Sequence, residues 1–209
     1  MAFEGSIIAW LREESEATAS VGERGGVEQV FSRKLCVTDS TKKLMAKQNA
    51  LIKISGSLLK DKKAIGQIKK ISKKYSTVLL IGGGEQINKA FEKRGWKVKF
   101  GPLGRITKTL EEKQLARDIL EKNQEIVQDM IDELGIGARV IIPVDEIATV
   151  LCHVNGDIKV LSAYNGFDKI FMFTPKNNVL KKKKWLKQLA DCFKHIDEGN
   201  IDKIEVIGF

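Results

Sequence analysis

At 209 residues, 43% hydrophobic and 30% charged, the chain is long enough for one α/β domain with a full core, or for a smaller domain with an appendage. No apolar run approaches the roughly 18 residues of a membrane span, and Met1-Ala2-Phe3-Glu4-Gly5-Ser6 lacks the basic and apolar regions of a secretory leader, so the expected compartment is the cytoplasm, with no membrane partner. The net charge of +9 is spread along the chain and aromatics make up only 7%, with no stacking motif beside the basic run, so nucleic acid is not expected as a partner.

Residues 1–45 read as an N-terminal appendage of weak structure. A Gly/Ser/Ala-rich middle, Ala17 to Gly26, separates short apolar patches at Ile7-Ile8-Ala9-Trp10 and Val27 to Phe31. Residues 46–209 read as one domain. Strands are expected at 50–55, 77–82, 95–100, 138–142, 147–152, 169–174 and 202–207, with helices near 61–74, 85–93, 109–134, 156–166 and 181–197. The helix at 109–134 has the clearest start, a capping box of Thr109 and Glu112; Leu115, Ile119, Ile126, Met130 and Leu134 give it an apolar stripe, and Gly135 stops it. Apolar runs alternating with amphipathic helices predict a three-layer α/β/α sandwich with a mainly parallel central sheet. Ligands are then expected at the carboxyl ends of the strands.

Cys36, Cys152 and Cys192 are widely spaced with no C-x-x-C, so neither a disulfide framework nor a metal site is expected, and the thiols read as buried and free.

Two apolar runs end in small residues: Ala50-Leu51-Ile52-Lys53-Ile54-Ser55-Gly56-Ser57 and Thr77-Val78-Leu79-Leu80-Ile81-Gly82-Gly83-Gly84. Two such exits side by side form a phosphate-sized cradle of backbone N–H groups beside an ammonium. Lys53 lies in mid-strand, where it must either snorkel from a sheet edge or meet an anion, because an unpaired buried ammonium is costly. Gly82-Gly83-Gly84 is neither a Walker A loop nor a dinucleotide fingerprint, since no Gly-Lys-Ser/Thr follows and Ile87 stands where the latter needs glycine. Lys181-Lys182-Lys183-Lys184 reads as a solvated helix start or as an anion site. Asp157 fits a helix N-cap after Asn155-Gly156. Arg105, after Gly104, fits a solvated loop residue. His153 reads as a core or rim residue, and His195 is given no role.

Taken in order, Lys-Ile-Ser-Gly-Ser-Leu at 53–58, Ile-Gly-Gly-Gly-Glu at 81–85, Arg105-Ile106-Thr107, Asn155-Gly156-Asp157 and Lys169 to Thr174 resemble the amino-acid kinase family, which includes acetylglutamate, uridylate and carbamate kinases. The resemblance covers roughly residues 50–207. It implies transfer of the γ-phosphoryl group of ATP, with Mg²⁺, to a small acidic acceptor, a carboxylate or a phosphate. Lys53 resembles the first catalytic lysine, Lys187 the second, with Lys184 as its alternate, and Asp157 the aspartate that orients them. Ser55, Gly56, Gly82, Gly83, Gly84 and Asn155 resemble the phosphate and acceptor loops, and Arg105 the grip on the acceptor carboxylate. Thr174 and Lys176 stand at the nucleotide-binding turn. A homo-oligomer is expected. The chain departs from the family there, with Pro175-Lys176-Asn177-Asn178 in place of an aspartate and glycine turn, and with no Gly-Gly-Met segment. A catalytically silent protein of the same fold, binding a nucleotide or small anion as a sensor or partner subunit, is the alternative.

Overall fold

The computed structural model describes residues 47–101, 104–148, 150–196 and 201–209; the expected appendage at 1–45, and Cys36 with it, lie outside the described residues. In chain order the elements are β1 (Asn49–Ile54), α1 (Lys62–Lys74), β2 (Ser76–Ile81), α2 (Gly84–Lys93), β3 (Phe100–Gly101), β4 (Gly104–Arg105), α3 (Leu110–Glu133), β5 (Ala138–Ile141), β6 (Val144–Ile147), β7 (Val150–His153), α4 (Gly156–Ser162), β8 (Lys169–Thr174), α5 (Val179–Ala190) and β9 (Ile204–Gly208). Among the described residues no helix is long and apolar enough to cross a membrane.

Five strands form one sheet in the order β5-β2-β1-β8-β9, and every pairing in it is parallel. Their side chains alternate between two apolar layers. Ile52 and Ile54 of β1, with Leu79, Ile81, Phe171 and Phe173, pack under Ala64, Ile68 and Ile71 of α1 and Val127 and Ile131 of α3. Leu51, Leu80, Ile170 and Met172 face the other way, against Val160 and Leu161 of α4 and Leu186, Leu189 and Ala190 of α5. The result is the expected three-layer α/β/α sandwich. From β1 the chain steps outward through β2 to β5, then returns to β8 on the other side of β1 and continues to β9. Right-handed crossovers in opposite directions place helices on opposite faces and leave a switch point between β1 and β8.

Local signals account for the helix starts. The Asp61 carboxylate accepts from the N–H groups of Lys63 and Ala64 at 2.8 and 2.9 Å. Thr109 and Glu112 form the expected capping box, and Gly135, at φ +63°, follows the end of α3. The buried stripe of α3 is Ala116, Leu120, Val127 and Ile131, one position on from the expected stripe; Ile126 is 53% exposed.

Two expected sheet strands are corrected. Over 95–100, Trp96 and Val98 pack against Ile87, Phe91 and Leu120, yet only Phe100 pairs, with Arg105, in a two-residue ribbon. The run at 147–152 straddles the turn of the β6–β7 hairpin, where Ala148 takes φ +53°; that hairpin is a separate antiparallel ribbon. The last long helix ends at Ala190 rather than 197. Cys192, expected buried, is exposed and free.

Candidate anion-binding site

Strand alternation puts Lys53 on the face covered by α4 and α5, in register with Leu80 and Met172. There it meets the carboxylate of Asp157, which is 5% exposed. Lys53 Nζ lies 3.6 Å from Asp157 Oδ1, an ion pair too long for a hydrogen bond, while Lys182 Nζ of α5 donates to Oδ2 at 2.7 Å. Burial pushes the Asp157 carboxyl up, but the charges of Lys53 and Lys182 and the bond from Lys182 outweigh it and hold the group below its ordinary value. Burial draws the Lys53 ammonium down; Asp157 opposes this and Lys182 adds to it. Two ammonium groups thus share one carboxylate in a largely dry setting.

Two cavities flank this cluster. The first, about 200 Å³, is lined by Lys53, the Gly82-Gly83-Gly84 exit, Arg105, His153, Asn155 and apolar side chains including Phe100 and Leu120. The second, about 360 Å³, lies at the switch point and is lined by Ser55, Asp157, Thr174, Lys182 and Trp185 among others.

The two glycine-bearing exits do lie side by side. Gly82 N–H donates to Ile54 O at 3.2 Å, and a Cβ on Gly56 would sit 2.9 Å from Gly82 O, so only glycine permits that approach. With Gly82 N–H occupied, the amides of Gly83 and Gly84 at the start of α2 are the ones available to an anion. Gly104, at φ +112°, packs where a Cβ would meet that of Asn155 at 3.1 Å, and this fixes Arg105 over the first cavity. Arg105 donates to Gly84 O at 2.8 Å and lies over the rings of Phe91 and Phe100, at 5.5 and 5.0 Å. Its Nη1 is buried without a hydrogen-bond partner, as are His153 Nε2 and Asn123 Nδ2.

Lys53, Ser55, Gly56, Gly82, Gly83, Gly84, Arg105, Asn155, Asp157 and Thr174 therefore converge. Asn155, not Asp157, is the helix cap: its Oδ1 accepts from Asp157 N–H at 2.9 Å, which leaves the Asp157 carboxylate for the lysines. Ser55 Oγ donates to Phe173 O at 3.2 Å and acts first on the backbone. Lys187 is exposed in the last turn of α5, and Lys184 is exposed too; the lysine of this helix that meets Asp157 is Lys182. Lys182 lies four and seven residues before Leu186 and Leu189, on the buried stripe of the helix, and that spacing could have revealed it. Lys176 is exposed and lines neither cavity.

No family model and no curated protein matches this chain. Among solved structures it is similar to smu.665 from Streptococcus mutans, at 18% identity over 60% of this chain and 72% of that one, with a TM-score of 0.49. It is also similar to N-acetylglutamate synthase from Neisseria gonorrhoeae. With the structure complexed with coenzyme A and N-acetyl-glutamate the identity is 10%, over 79% of this chain and 55% of that one, with a TM-score of 0.48. With the structure complexed with coenzyme A and L-arginine it is 9%, over 79% and 57%, with a TM-score of 0.44. The chain thus spans little more than half of the synthase, and likenesses this distant assign it no activity.

These findings correct the family expectation. The function named among these neighbours is that of a synthase holding coenzyme A, not a kinase, and no family model supports the resemblance. Amino-acid kinase membership and transfer of phosphoryl from ATP are not retained. The turn after Thr174 also offers few donors to a nucleotide: Pro175 has no N–H, and those of Lys176 and Asn178 are bonded to Phe209 O and Pro175 O.

Proposed function

We propose that this chain binds a small molecule bearing a carboxylate or phosphate in the cavity between the Gly82-Gly83-Gly84 exit and Arg105. The observation that carries this reading is the charge imbalance at Asp157, where two ammonium groups, both largely buried, face one buried carboxylate. A dry cluster with one uncompensated positive charge favours an anion. The supporting groups match in kind: Lys53 supplies charge, Arg105 a planar fork and Gly83 and Gly84 N–H donors. The apolar wall of Phe100 and Leu120 leaves room for a carbon skeleton beside the charged group.

A thermal-shift panel of small carboxylates and phosphates, each paired with its amide or alcohol analogue, tests this. A ligand at 100 times its dissociation constant adds about 2.7 kcal/mol, which in a chain of this size raises the melting temperature by about 5–10 °C. Shifts from acids alone support the reading. Equal shifts from the uncharged analogues, or none from any acid, overturn it.

A further inference from the structure

We propose that His153 is a proton-accepting member of the anion pocket, and that entry of an anion beside Arg105 brings a proton from solvent onto its imidazole, so that the pocket grips anions more tightly as pH falls. The inference rests on the anion-binding reading above.

His153 ends β7, opposite Val144 of β6, and Val154 N–H donates to Pro143 O at 3.0 Å, which anchors the hairpin beside the cavity. The side chain lines the same cavity as Lys53 and Arg105, yet its Nε2 is buried and bonded to nothing. A buried imidazole nitrogen ordinarily has a partner. The groups around it disfavour its protonation in the free protein. Burial, Arg105 of β4 and Lys113 of α3 all hold its pKa below 6.5. On β6, the carboxylate of Asp145 is held by Lys159, and Glu146 is exposed, so neither offers it a counter-charge.

An anion seated against Arg105 and Lys53 offsets those cations and makes the imidazolium favourable, with both ring nitrogens then donors. By linkage, affinity rises by up to tenfold per pH unit between the pKa of free His153 and that of the complex.

The test is calorimetry with sulfate, whose charge is constant from pH 5.5 to 8.5, at fixed ionic strength and in two buffers of different ionisation heat. The expected result is proton uptake and tightening toward low pH in the parent, with the slope between pH 5.5 and 7 lost in His153→Asn. The ring pKa of His153, followed by NMR, should rise when sulfate is added. Sulfate bound equally at every pH, a slope retained in His153→Asn, or an unmoved ring pKa overturns the role of His153 alone. No sulfate binding at any pH overturns the anion-binding reading with it.

Discussion

Replacing Asp157 with asparagine keeps the size of the side chain and removes the one negative charge between Lys53 and Lys182. Oδ2 accepts from Lys182 at 2.7 Å and Oδ1 lies 3.6 Å from Lys53, with the carboxylate 6% exposed. Removing one partner of a buried ion pair typically costs about 3–5 kcal/mol. The lower end applies here, because the amide oxygen still accepts from one lysine and Lys53 can shed its proton. A loss of about 3 kcal/mol lowers the melting temperature of a chain this size by about 6–12 °C. Urea unfolding followed by tryptophan fluorescence measures it. The pH dependence has a definite sign: the folded pKa of Asp157 lies below its unfolded value of about 3.9, so the stabilisation is complete above that value and lost as pH falls through the folded one. Parent and variant should differ fully at pH 7, and the gap should begin to narrow below about pH 4. Equal stabilities at pH 7, or the same gap at pH 3 as at pH 7, would refute the ion-pair account.

Gly56→Ala places a Cβ 2.9 Å from Gly82 O, and because that atom is backbone the two loops must separate; a loss of about 1–3 kcal/mol in chemical denaturation, with weaker anion binding, is expected. Thr109→Ala removes the hydroxyl that accepts from Glu112 N–H at 3.2 Å and should cost about 1 kcal/mol without touching ligand affinity. Deletion of residues 1–45 should leave a cooperatively unfolding domain with its near-ultraviolet signal intact; a molten species would contradict this.

How much was legible in the sequence depended on how local each signal was. Five of the seven expected strands entered the sheet because runs such as Lys169 to Thr174 are apolar on both faces, as a covered parallel strand must be. The capping box at Thr109 is local and was readable. The alternation of Trp96 and Val98 with Lys97 and Lys99 is equally strand-like, but it reflects one-sided packing without a strand partner. The mid-strand Lys53 and the two small-residue exits were local signals, and the structure brings them close to Asp157. The choice among Lys182, Lys184 and Lys187 turns on helix phase, which only the stripe through Leu186 and Leu189 reveals. His153 was readable only as a core or rim residue, since its orphaned nitrogen arises from a hairpin packed against elements distant along the chain.

On the anion-binding proposal the uncompensated ammonium at Lys53 carries the pocket's affinity, and Lys53→Met tests this most directly. The variant leaves Asp157 and Lys182 as a matched pair and fills the same volume with an apolar side chain, so stability should hold or rise. Titration calorimetry with inorganic phosphate at constant pH and ionic strength should show one site in the parent and at least tenfold weaker binding in the variant, about 1.4 kcal/mol or more. Phosphate bound equally by both proteins, or by neither, would contradict the account.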